Sequence, residues 1–269
     1  MIHLHSAKLM KVGQQLPDAF PFNVPVIRNL TELEFTSEVT FLVGENGSGK
    51  STLLETLACA AGLPTVGSES VHTDSSLAAA RKLAKHFRLS WARRTHMGFF
   101  MRAEDFFGFA KKVETMKREL EEDLARVDEE TRDRSATARA LGRVPYAREL
   151  GSLRARYGEG LDTRSHGESF LSLFQSRFVP NGLYLLDEPE APLSPVRQLS
   201  FLSLLKTMVA DQGAQFVIAT HSPIIMAFPG ATIYSFDDDG IKKVRYDEVE
   251  HVVVTKAFLD SPERFLRQL

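Results

Sequence analysis

The sequence predicts an α/β fold, a mixed sheet with a parallel core and antiparallel edge strands, accompanied by a helical lobe. Three observations carry this expectation. The apolar run Val39–Val43 feeds a glycine-rich loop and then a helical pattern. Two further apolar runs, residues 182–186 and Gln215–Ala219, flank the helical stretch Pro195–Ala210, which is the alternation of a parallel sheet. The first forty or so residues alternate short apolar runs with prolines and polar turns, as antiparallel edge strands do.

Taken in order, residues 2–4, 24–27 and 33–35 read as short strands beside the core sheet. After the glycine-rich loop, Leu53, Leu54, Leu57, Ala58 and Ala61 form one side of a helix that Gly62 and Pro64 stop. Residues 77–87 and 104–127 turn helical, and in the second stretch Phe109, Val113, Met116, Leu120, Leu124 and Val127 line one side. That run covers too few heptads for a coiled coil, so a helix packed on the domain is expected. Residues 131–164 are rich in Arg, Gly, Ala and Glu with few large apolar side chains, which points to a mobile or partner-ordered segment. Ser194-Pro195 then caps a helix that Gly213 ends. Residues 232–236 and 241–246 flank Asp237-Asp238-Asp239-Gly240 as a hairpin, and residues 262–269 fit a final helix.

The chain has 269 residues, 43% hydrophobic and 25% charged, with a net charge of −2. This is the composition of an ordinary globular protein with no apolar run long enough to cross a bilayer, and the first residues do not resemble an export signal. A cytoplasmic location is expected. Cys59 is the only cysteine, which excludes an internal disulfide and a multi-cysteine metal site. Arg81, Lys82, Lys85, His86, Arg88, Arg93, Arg94 and His96 make one local basic stretch, suited either to nucleic acid or to a solvated face.

The chemistry begins at Gly44-Glu45-Asn46-Gly47-Ser48-Gly49-Lys50-Ser51, a complete GxxxxGK[ST] phosphate loop followed by Thr52. Its glycines let successive backbone N–H groups converge on phosphate, Lys50 reaches the β- and γ-phosphates, and the Ser51 hydroxyl can ligate Mg²⁺. The helix behind it aims its positive dipole end at the same anion. The chain is therefore expected to bind a nucleoside triphosphate. Residues 183–188 then form an apolar strand ending in two acids: Asp187 as a Mg²⁺ holder and Glu188 as the base that polarises an attacking water. His221 ends the strand Gln215–Ala219 after Thr220 and is placed to sense the γ-phosphate. Ser165-His166-Gly167-Glu168-Ser169 precedes a helical apolar pattern and can open a helix as an anion site.

Phosphate loop, Ser-x-Gly-Glu, Asp-Glu strand and a strand ending in His, in that order, resemble the parts of ATP-binding-cassette (ABC) ATPases across nearly the whole chain. Within that superfamily the sequence looks like the soluble branch related to chromosome-maintenance and DNA-repair ATPases. The resemblance implies a P-loop NTPase of ABC type, one domain over 1–269, with a nucleotide-binding lobe at about 1–75 and 180–269 and a helical lobe at about 76–179. It also implies Mg²⁺-dependent ATP hydrolysis in a homodimer, in which Ser165, Gly167 and Glu168 of one subunit meet the γ-phosphate held by Lys50 of the other. Glu188, His221 and Lys50 would then carry catalysis, and Asp187 and Ser51 the metal.

Two departures from the family pattern stand out. Ser194 lies where transporter relatives carry aspartate. No glutamine occurs between Lys50 and Ser165, although the family places one at a strand end in that interval. Residues 98–104 are the best match to that strand, with Arg102 or Glu104 in the glutamine's place. Arg28, Asn29, Phe20 or Phe22 could flank the base. The alternatives are a nucleotide-gated module for DNA or an effector protein, and the energy subunit of a transporter. A kinase would leave Glu188 and the Ser165 segment without a task.

Overall fold

The apolar runs from both ends of the chain come together as two sheets in the computed structural model, which describes residues 1–10, 17–66, 74–157, 166–237 and 240–267. The strands are β1 (Leu4–Leu9), β2 (Glu32–Glu34), β3 (Val39–Val43), β4 (Phe87–Trp91), β5 (Gly98–Met101), β6 (Leu183–Asp187), β7 (Gln215–Ala219), β8 (Thr232–Asp237) and β9 (Gly240–Val244). The helices are α1 (Pro25–Asn29), α2 (Lys50–Ala61), α3 (Ala78–Ala84), α4 (Ala103–Glu130), α5 (Ala136–Tyr157), α6 (His166–Arg177), α7 (Pro195–Ala210), α8 (Pro223–Met226), α9 (Glu250–Asp260) and α10 (Pro262–Leu266). They divide into two units, Met1–Ala103 with Phe178–Leu269, and Glu104–Arg177.

In the first unit the larger sheet has the order β5-β6-β7-β3-β8-β9, parallel from β5 to β8, with β9 antiparallel at the edge. Strands β3, β6 and β7 are buried at every position, as a parallel sheet covered on both faces requires. The smaller sheet, β2-β1-β4, is antiparallel. Helix α2 joins them: Leu53, Leu54, Leu57 and Ala58 share one core with Leu4 and Leu9 of β1 and with Leu185 and Val217 of the large sheet. The other face of that sheet carries Phe178, Tyr184 and Phe216, with ring centroids 4.6–5.4 Å apart.

Several expectations need correction. Residues 24–27 are not a strand, because Pro25 sits at the first helical position and its fixed φ starts α1. Residues 77–87 are only partly helical: α3 ends at Ala84, and Phe87, Leu89 and Trp91 alternate along β4, paired to β1. Residues 78–101 therefore supply α3, β4 and β5 to the first unit, where the sequence suggested a helical lobe starting near residue 76. The basic stretch is accordingly dispersed, with Arg81 and Lys82 on α3, Arg88 on β4 and the rest in the connections, and Arg81 donates to the Asp74 carbonyl oxygen at 2.6 Å. Helix α9 had no counterpart in the sequence reading.

The second unit contradicts the expectation for residues 131–164 over most of that range, since 136–157 form the long helix α5 with Pro145 inside it, while residues 158–164 lie outside the described residues. Helix α4, about 42 Å long at ~1.5 Å per residue, runs antiparallel to α5. Arg143 Nη1 meets the Asp128 carboxylate at 2.7 and 2.9 Å, Arg154 Nη2 meets Glu121 at 2.9 Å, and Gly142 faces Val127. Among the described residues no helix is long and apolar enough to cross a membrane.

Gln215 links the two sheets of the first unit. Its fully buried amide accepts from the backbone N–H groups of His3 and Leu4, each at 2.8 Å, and donates to the Leu4 carbonyl at 2.9 Å. Replacing it with Leu strands three buried backbone groups. We expect Gln215→Leu to cost about 2–5 kcal/mol in denaturant unfolding, whereas a change at the exposed Gln175, such as Gln175→Leu, should cost almost nothing.

Candidate functional site

Strand β3 is flanked by β7 and β8, so its carboxyl end opens at the middle of the sheet. The phosphate loop emerges there and returns as α2. Gly44 has φ +140°, and a Cβ at that position would lie 2.5 Å from the Phe236 carbonyl oxygen, so only glycine lets the loop leave β3. Lys50 is buried, and its Nζ donates to the carbonyl oxygens of Gly44 at 2.7 Å and Glu45 at 2.9 Å. Burial lowers the lysine's pKa, while the carboxylates of Asp187, Glu188, Glu45 and Glu190 oppose that shift. The Ser48 hydroxyl is buried without a hydrogen-bond partner. Ser51 and Thr52 occupy the first turn of α2, whose leading N–H groups have no intrahelical acceptor. The exposed tip residues Glu45, Asn46 and Gly47 line a cavity of about 380 Å³ together with Asp237, Glu250 and His251.

Parallel pairing brings the ends of β6 and β7 to the same edge, with Asp187 opposite Ala219. Asp187 is 7% exposed, bonds the Ser51 side chain, and leaves Oδ1 buried without a partner. Burial pushes its carboxyl up to about 6, helped by the charges of Glu188 and Glu190 and opposed by Ser51 and Lys50. Glu188 sits at φ +47°, a left-handed conformation that a non-glycine residue holds only when its surroundings fix it. Its N–H donates to the Ala219 carbonyl at 2.9 Å, and its Oε1 lies 3.7 Å from His221 Nε2.

His221 is held on three sides. Its backbone N–H donates to Glu190 Oε1 at 2.7 Å, its Nδ1 pairs with His251 Nε2 at 2.8 Å, and its Nε2 faces Glu188. Burial, then the charges of Lys50 and His251, lower its pKa, so the ring is neutral at pH 7. Glu190 is also bonded by the Thr220 hydroxyl, and burial raises its pKa. The loop after the acidic strand is thus tied to the histidine strand. Ser222 caps α8 by accepting from Ile225 N–H at 3.2 Å and also donates to Gln198 Oε1 at 2.5 Å, whose Nε2 donates to the Leu193 carbonyl at 3.1 Å.

The structure thus gathers Lys50, Ser51, Asp187, Glu188 and His221 at one sheet edge. Other sequence-based candidates fall elsewhere. Arg28 is exposed on α1 and lies 3.5 Å from Asp18. Phe22 is a buried core residue edge-on to His86, with ring centroids 5.3 Å apart, so it is not available to a base. Phe20 is exposed. Arg102, one residue beyond β5, is taken up by Asp74 at 2.8 Å and Glu55 at 3.5 Å, and Glu104 begins the second unit. Ser165 lies outside the described residues, and His166, Gly167 and Glu168 open α6 in the second unit. Glu190 and His251 were missed as site residues. Glu190 could have been found from its place two residues after the acid pair, whereas nothing in the sequence around His251 signals a role.

The donors present fit a divalent cation: Asp187 offers a buried, unpartnered carboxylate oxygen and Ser51 a hydroxyl beside it. In the metal-free protein that carboxylate is costly. Its folded pKa is raised from 3.8 to about 6, so the favourable protonated form contributes fully below pH 4 and is lost as pH rises through 6. Ionisation at pH 7 costs about 3 kcal/mol. Asp187→Asn should therefore raise the Tm of the metal-free protein at pH 7, with the gain disappearing near pH 4. Thermal melts across that range check both the sign and the window.

Residues 22–132 match the family model described as an AAA domain. No curated protein matches the chain. Among solved structures, the chain is similar to the head domain of an Smc protein with an extended coiled coil from Pyrococcus furiosus, at 12% identity and TM-score 0.49 over 96% of this chain and 100% of that one. A nucleotide-free ATP-binding cassette from an ABC transporter is similar at 15% identity and TM-score 0.48, over 98% and 97%. Part of an ABC transporter complex from Clostridium perfringens is similar at 16% identity and TM-score 0.45, over 99% and 100%. With its phosphate loop on a central parallel strand and its acid pair and histidine on neighbouring strand ends, the first unit has an α/β fold of P-loop type, and residues 22–132 carry the match to an AAA domain.

Proposed function

We propose that this protein is a Mg²⁺-dependent ATP hydrolase of the cytoplasm that works as an ATP-closed homodimer. One observation carries the reading: Lys50, Asp187, Glu188 and His221 meet at one sheet edge, where Asp187 Oδ1 and His221 Nε2 are buried without hydrogen-bond partners. Buried polar atoms of that kind call for a polar ligand.

Lys50 exchanges the Gly44 and Glu45 carbonyl oxygens for β- and γ-phosphate oxygens of ATP. Asp187 and Ser51 would hold Mg²⁺, which would supply neutralisation of phosphate charge. Glu188 accepts a proton from water as its oxygen attacks the γ-phosphorus, and the bond to the β–γ bridging oxygen breaks to give ADP and phosphate. His221 donates from Nε2 to the transferring group. Ser165, Gly167 and Glu168 of a second subunit complete the charge stabilisation through a helix N-terminus supplied in trans. Glu188→Gln is expected to bind Mg²⁺-ATP normally, to lose at least ~100-fold in turnover, and to run as a dimer with ATP in light scattering. Turnover equal to that of the parent would remove Glu188 from its role.

A second reading is favoured by the α4–α5 hairpin, two long ion-paired helices to which ATP turnover assigns no task. In it, slow hydrolysis times association with DNA or an effector protein. Salt-sensitive DNA binding that appears only with ATP supports this reading, and its absence at low ionic strength counts against DNA.

A further inference from the structure

We propose that His251 is a positioning residue for ATP hydrolysis: it fixes the tautomer and ring orientation of His221 so that the Nε2–H of His221 faces the reacting phosphate. The inference rests on the reading of His221 as a γ-phosphate donor. It adds a residue that lies far away in sequence and belongs to no motif.

The geometry leaves little choice about the proton. His221 Nδ1 and His251 Nε2 are 2.8 Å apart with the rings inclined at 64°, so one nitrogen donates and the other accepts. The other nitrogen of His221, Nε2, is buried without a hydrogen-bond partner and lies 3.7 Å from Glu188 Oε1. If His221 carried its proton on Nδ1, the Nε2 lone pair would face a carboxylate, which is repulsive. If His251 donates instead, His221 Nδ1 is the acceptor and Nε2 bears the proton toward Glu188 and the phosphate site. His221 stays neutral through burial and the nearby Lys50 charge, which leaves it a single proton to place.

His251 is rigid enough for this task. It is the second residue of α9, between the buried anchors Val249 and Val252. The turn before α9 is pinned to the segment after His221, where the Tyr246 hydroxyl donates to the Pro223 carbonyl at 3.0 Å. His251 also lines the cavity beside the tip of the phosphate loop. An imidazole whose second nitrogen is oriented by a fixed partner is a recurring device for setting the tautomer of a functional histidine.

The test is a double-mutant cycle combined with nitrogen NMR of the histidines. His251→Leu should lower kcat for Mg²⁺-ATP about 10- to 100-fold with KM nearly unchanged. His251→Gln, which keeps an N–H donor, should recover much of the loss. In a His221→Ala background, His251→Leu should do nothing more. An equal loss in that background, or Gln no better than Leu, overturns the proposal. In the nucleotide-free protein His221 should show one tautomer, protonated at Nε2, and His251→Leu should give a mixture. An unchanged tautomer in that variant overturns the proposal whether or not the protein hydrolyses ATP. Lack of turnover in the parent alone, with the tautomer shift present, counts against the ATPase reading and leaves the His221–His251 coupling standing.

Discussion

A buried lysine cation with no carboxylate in direct contact among the described residues is the constraint around which the phosphate loop is built. Lys50 satisfies two of its donors on the carbonyl oxygens of Gly44 and Glu45. These are neutral acceptors that an anion outcompetes, since an anionic oxygen adds charge–charge attraction to the hydrogen bond. The loop can hold this shape because Gly44 passes the Phe236 carbonyl where a side chain could not. Helix α2 is locked between two sheets by Leu53, Leu54 and Leu57, so the loop is pinned at both ends while its centre waits for a phosphate.

The second consequence of this architecture is that acids and histidine arrive at the lysine without a dedicated scaffold. Parallel strands β6 and β7 end together, and Asp187, Glu188 and His221 are simply the residues that follow. What the sheet does not supply is orientation. Glu190 grips the His221 backbone and His251 grips its ring, so the histidine is held by the loop after the acidic strand and by α9 together. Burial raises the Asp187 carboxyl to about 6, so its ionised form is disfavoured where it stands.

Much of this was legible in the sequence. Val39–Val43, the glycine loop, Leu183–Asp187 and Gln215–Ala219 announce themselves because a doubly covered parallel strand must be apolar at every position. Where local signals competed, reading failed. Pro25 was read inside a short strand and in fact starts a helix, and the alternation of Phe87, Leu89 and Trp91 was hidden in a basic stretch. The α5 helix was obscured by Pro145 and by a shortage of large side chains. His251 was illegible for a different reason: its role exists only through a contact thirty positions away in the chain.

The most direct measurement is a crystal structure of the Glu188→Gln protein with ATP and Mg²⁺. The account predicts that Lys50 Nζ leaves the Gly44 and Glu45 carbonyl oxygens for the β- and γ-phosphates, with the cation on Asp187 and Ser51 and the γ-phosphate near His221 Nε2. Nucleotide bound elsewhere, with Lys50 still on its own loop carbonyls, would contradict it.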